Sequence, residues 1–147
     1  MTLRASLHEY VRDELDVSVT ESRLPIRPMM PMIVQRFVGG RADQTHSRPV
    51  SLISRRVQFD IYANNDKQVD DLSIALLRAL DGFHGTMGDV SIGWAGLVSD
   101  VDTNPEEVKI VRDPRGRISP NEVRYRRILD FAIAYQEDRP APSPSTS

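Results

Sequence analysis

Several strand-like stretches joined by polar connections, with only two separated helical ones, predict an α+β fold: a mostly antiparallel sheet of about four to five strands packed by two helices. Three observations carry this reading. Residues 55–63 alternate, with Val57, Phe59, Ile61 and Ala63 on one side and Arg56, Gln58, Asp60 and Tyr62 on the other. Residues 123–135 repeat the pattern through Val123, Tyr125, Leu129, Phe131, Ile133 and Tyr135. Between them, residues 67–80 change to helical spacing, with Val69, Leu72, Leu76, Ala79 and Leu80 as the apolar stripe.

From the N-terminus, Leu3, Leu7, Tyr10 and Val11 place an amphipathic helix over 2–16, one that cannot bury its stripe alone. Pro25, Pro28 and Pro31 then lack amide donors and hold their neighbours out of the helical region, so 17–31 reads as an extended connector. The β-branched text of Met32–Val38 forms a first strand, closed by Gly39-Gly40. Residues 41–54 are polar and aperiodic and read as a long connection into the strand at 55–63.

Asn64-Asn65-Asp66 offers side-chain acceptors at the start of the second helix, and Gly82 stops it. Ile74 falls opposite the buried stripe and is either an exposed aliphatic or part of a subunit contact. A short strand around 90–97 follows, with 108–111 as a possible addition, and Asp100 and Asp102 fall in the loop after it. The long final strand enters from the turn-rich loop around Asp113–Arg117.

The chain has 147 residues, a formal net charge of −2 and no cysteine, which sets aside disulfide scaffolds, thiolate metal sites and cysteine nucleophiles. The length suits one folded unit over 1–135, with a Pro- and Ser-rich tail at 136–147 that has little to bury. No apolar run approaches the roughly 20 residues of a membrane span, so no membrane partner is expected and assembly in a cytoplasm is. With 19 basic and 21 acidic residues, the balance suits at most a local basic face.

Chemistry is hard to place on this text. His8, His46 and His84 stand apart, without metal-ligand spacing. No nucleophile elbow, P-loop or dinucleotide fingerprint occurs, and the Gly-rich 81–88 follows a helix instead of opening one. No catalytic, cofactor or metal residue is therefore assigned. The acids Asp100, Asp102 and Glu106 keep open a small metal-dependent hydrolase as the reading from a different class.

Arginine is more informative. It makes up most of the basic residues, and Arg115, Arg117, Arg124, Arg126 and Arg127 gather near the end of the chain. On an alternating strand Arg124 and Arg126 point away from Tyr125, either as a solvated face or as a comb at a subunit boundary. In the second case, reversing both charges should impair assembly while leaving the monomer folded.

Taken in order, the leading helix, the Pro-rich run into Pro31–Gly40, the strand Arg56–Ala63 feeding a helix that ends Leu80-Asp81-Gly82, and the final Ile128–Ile133 resemble the tail terminator (tail completion, tail-to-head joining) family of long-tailed bacteriophages. The likeness spans about Leu3 to Tyr135, and 56–82 is its most specific part. It implies a non-enzymatic virion protein, assembled in the host bacterial cytoplasm. It further implies a homo-oligomer, a hexameric ring that ends the tail tube and meets a neck protein, with DNA passing unread through its lumen. Arg115, Arg117, Arg124, Arg126 and Ile74 are the residues expected at the subunit interface or lumen. A head-completion or stopper ring of the same neck is the neighbouring alternative.

Overall fold

The computed structural model describes residues 2–25, 30–38, 52–102, 106–107 and 123–136. The elements in chain order are α1 (Leu3–Leu15), β1 (Ser18–Glu21), β2 (Met32–Val38), β3 (Leu52–Ala63), α2 (Asp66–Leu80), β4 (Gly85–Met87), β5 (Val90–Asp102), β6 (Glu106–Glu107) and β7 (Val123–Gln136). Six strands run side by side in the order β1-β2-β3-β7-β5-β4, and β6 pairs with the start of β7. The expected four to five strands are therefore too few. The sheet is also mixed, because β1 runs parallel to β2 while the other pairs are antiparallel.

Local chemistry explains the helix ends. Thr2 caps α1 by accepting the Ala5 amide at 3.2 Å, and Asp16 ends it in the left-handed region that Asp tolerates. Asn65 caps α2 by accepting the Gln68 amide at 2.8 Å. Beyond Leu80 the chain turns through Gly82, whose φ of +79° is strained for any residue with a Cβ, and the Gly82 amide donates to the Ala95 carbonyl at 2.8 Å. The Asp81 side chain accepts the Leu97 amide at 3.1 Å, so the helix end is tied to β5 twice.

Alternation then decides the core. Val57, Phe59 and Ile61 of β3 and Leu129, Phe131 and Ile133 of β7 are almost wholly buried, and the register sets Phe59 opposite Leu129 and Val57 opposite Phe131. The Phe59 and Phe131 rings meet edge to face with centroids 5.7 Å apart. Val69, Leu76 and Leu80 of α2 close over this face. Ser73 joins the buried stripe by donating its hydroxyl to the Val69 carbonyl at 2.7 Å, and Leu72 is only partly buried. From α1, Leu3, Leu7 and Val11 complete the cluster, and Tyr10 packs on Phe83 at 5.2 Å between centroids.

Three other expectations change. The supposed connector at 17–31 holds β1, and Val19 of this strand joins the core together with Val17 just before it. The strand expected at 90–97 continues to Asp102, so Asp100 and Asp102 stand in β5 and not in a loop. Its register slips between Ile92 and Trp94 and again between Leu97 and Ser99, and these bulges carry the strand past the point where simple alternation ends. The long connection expected over 41–54 is shorter at its end, because β3 begins at Leu52.

Candidate functional site

The sheet turns one face to the helices. Its other face carries charge in an ordered array. Asp60 of β3 is 1% exposed there and accepts from Arg126 of β7 at 2.7 Å and, on its other oxygen, from Gln58 at 2.9 Å. Arg36 of β2 stands 4.0 Å from the same carboxylate, and the Arg126 guanidinium lies over the Tyr62 ring at 5.5 Å. One step along, Asp130 accepts from Arg56 and from the Ser99 hydroxyl, both at 3.3 Å. These contacts lace β2, β3, β7 and β5 together across their width. A buried carboxylate held by two arginines and an amide is a cross-strand tie, since burying its charge is tolerable only when it is paired and hydrogen-bonded.

A second cluster sits at the helix side. Arg127 grips Asp100 with two parallel hydrogen bonds, Nε to Oδ1 at 2.8 Å and Nη2 to Oδ2 at 2.6 Å. Its Nη1 reaches Asp70 of α2 at 3.1 Å. The hydrogen bond to Asp100 is the main cause that raises the Arg127 pKa, opposed by desolvation, so the guanidinium is held charged. Asp100, one of the acids considered for metal chemistry, is thus committed to an arginine fork. Among the described residues no three His, Asp or Glu side chains converge on a metal position.

A third polar group links α1 to the sheet. His8 Nδ1 lies 2.9 Å from Glu21 Oε1, and the buried Gln35 donates to that same oxygen at 3.0 Å and to the Arg4 carbonyl at 3.2 Å. His84 is exposed beyond α2, and His46 lies outside the described residues.

The residues expected at an interface separate as follows. Ile74 projects from α2 with 47% of its surface exposed. Arg126 belongs to the Asp60 tie, so reversing its charge would set two carboxylates against each other inside the monomer; the expectation that the fold would be untouched does not hold for this residue. Arg124 stands in β7 opposite Glu106 in register. Arg115 and Arg117 lie outside the described residues, as do 108–111 and the tail from 137. Asp60 and Arg127 were missed as organising residues. Their signal was in the text: an acid and an arginine each at a predicted strand position, needing a partner across the sheet.

Large apolar side chains complete the outer surface. Trp94, Val98 and Val101 follow one another on β5 and are each about half exposed, at 52%, 49% and 50%. The Trp94 ring lies so close over Gly96 that a Cβ there would collide with its Cζ2.

No protein-family model matches the chain, and no curated protein matches it. Among solved structures, the chain is similar to one from the "Virion of native gene transfer agent (GTA) particle" with a TM-score of 0.57. The match covers 92% of this chain and 95% of that one at 10% sequence identity. What the two share is the fold, nearly end to end.

Proposed function

We propose that this chain is a structural subunit of a phage-type particle, not an enzyme, and that it forms a ring which ends the tail tube and joins the tail to the head-neck connector. The observation that carries the reading is the extent of the fold likeness to a virion chain, which takes in 92% of this chain and 95% of the other and so reaches beyond a shared motif. The order of sequence elements supports the tail-terminating position within such a particle. The charge arrangement agrees: Asp60, Asp100 and Asp130 are each engaged by arginine, which suits rigid ties and leaves these carboxylates poorly placed to accept a proton from a substrate.

In this reading the partners are further copies of the chain, a tail tube protein and a neck protein. DNA passes through the lumen with few, sequence-independent contacts, because the balanced charge does not support tight phosphate binding. The test is removal of the gene from a host that makes the particle, with electron microscopy of the products. Filled heads beside unjoined tails of irregular length are expected, with joining restored by the gene in trans. Intact particles at normal yield would overturn the proposal, and heads that leak DNA beside normal tails would move the protein to the stopper position.

A further inference from the structure

Among the described side chains, the arginines of the sheet meet carboxylates with one exception. Arg36 and Arg126 stand at Asp60, Arg56 at Asp130 and Arg127 at Asp100. Arg55 of β3 meets a ring instead: its guanidinium lies over Phe37 of β2, 4.7 Å from the ring centre. Arg4, in the first turn of α1, lies over the same ring at 5.1 Å. Among the described residues neither Arg4 nor Arg55 has an ion pair or a side-chain hydrogen bond.

The fold builds this corner. Arg55 stands two residues before Val57, the register partner of Phe37, so alternation puts all three on the face that the helices cover. Gln35, two residues before Phe37, donates to the Arg4 carbonyl at 3.2 Å and fixes the first turn of α1 beside them. Since each charge lies about 5 Å from one ring centre, the two stand within about 10 Å of each other, inside one screening length at 0.1 M salt. The first turn of α1 holds no acid, and a cation there is of the same sign as the helix dipole. Glu21, which reaches this corner through Gln35, accepts from Gln35 and His8 and from neither arginine. Positive charge is thus gathered here without a counter-charge.

We infer that Arg4 and Arg55, held over Phe37, form a site for a phosphate group, taken from solution or from the backbone of a polynucleotide. The inference stands apart from the ring reading. A guanidinium held over an aromatic face keeps its N–H donors for another acceptor, so the ring positions both heads without using their hydrogen bonds. One carboxylate can fill one fork, as Asp100 fills that of Arg127. Two forks that meet at one ring call for an acceptor with oxygens on more sides and at least one full negative charge, and a phosphate supplies both.

Thermal melts in phosphate and in chloride of equal ionic strength test the site, beside anisotropy titrations of a short fluorescein-labelled DNA duplex. Phosphate should raise the melting temperature of the natural chain above its value in chloride, and Arg4→Ala with Arg55→Ala should abolish that rise. Each single variant should weaken duplex binding about tenfold and reduce the slope of log affinity against log salt by about 0.9, whereas Arg78→Ala, at an exposed arginine of α2, should stay within about twofold. Arg4 is exposed, so Arg4→Ala reads the site alone if the double variant does not fold. Loss of the phosphate effect with duplex affinity unchanged assigns the site to free phosphate; loss of duplex affinity assigns it to the polynucleotide backbone. An arginine pair that only ties α1 to the sheet would lower the melting temperature equally in both salts and leave duplex binding unchanged, which overturns the inference. Polyglutamate bound as tightly as the duplex, with the same dependence on both arginines, overturns it too, in favour of an acidic polypeptide.

Discussion

A carboxylate that is 1% exposed must have its charge met by neighbours, and Asp60 meets this demand with Arg126, Gln58 and Arg36 drawn from three strands. Asp60→Ala leaves those donors facing a void, and a loss of about 3 kcal/mol is expected in urea unfolding, as when one partner of a buried pair is removed. Trp94 permits an optical test of a different contact, being the single tryptophan. Gly96→Ala must displace its ring, so the emission maximum should shift while stability falls little, because the ring is a side-chain end with open space around it. An unchanged spectrum would show that the ring does not rest on Gly96. Tyr10 has a pKa raised above its ordinary value of 10.0, first by burial and then by Glu14, and its hydroxyl donates to the Ala79 carbonyl at 2.8 Å. The folded chain therefore keeps this proton after the unfolded chain has lost it, so stability falls as the pH rises above about 10. Tyr10→Phe should reduce that alkaline slope while lowering stability at neutral pH, both read from thermal melts across pH.

At the scale of elements, Asn65 contributes a cap whose loss can be measured. Asn65→Ala should cost about 1 kcal/mol and Asn65→Gly much less, since glycine still allows water to reach the freed amides. The same element was legible beforehand, because Asn64-Asn65-Asp66 and the 3.6-residue stripe are local signals. The alternation of β3 and β7 was legible for the same reason, and with it the pairing of Phe59 and Phe131 in one core. Truncating either ring to Ala should cost about 3–5 kcal/mol, and a measured loss below about 1 kcal/mol at both would deny this core. What stayed hidden depended on partners distant in sequence. β1 has only four residues, and Ser18 to Glu21 become a strand because β2 offers a parallel edge with Ser18 beside Met32. β5 was cut short because two bulges and its glycines disturb the period of two, while its length is set by β7. The charged ties were hidden likewise: Asp100 and Arg127 are far apart in the text, and only the register between β5 and β7 brings them into a fork. Ile74 was the one proposed interface residue whose exposure the helical period alone foresaw.

The molecule as a whole depends on its first 21 residues more than their polar text suggests. α1, β1 and the link between them supply Leu3, Leu7, Val11, Val17 and Val19 to the core, each between 0% and 8% exposed. At about 1.5–3 kcal/mol for each buried side chain, together they contribute about 7–15 kcal/mol of burial. That sum matches the whole stability of an ordinary domain, even before the compactness of the unfolded state reduces it. The segment also covers the edge of β2, whose amides would otherwise stand ready to pair with another chain, and the His8–Glu21–Gln35 network fastens it there. Removing residues 2–21 should therefore give a chain that binds a hydrophobic dye, melts without a cooperative transition and aggregates at micromolar concentration. The milder Leu7→Ala should fold but lose about 2–5 kcal/mol. A truncated chain that melts cooperatively near the temperature of the full protein would mean that β2 to β7 and α2 form a sufficient core, and that the N-terminal segment is a covering and not a part of the fold.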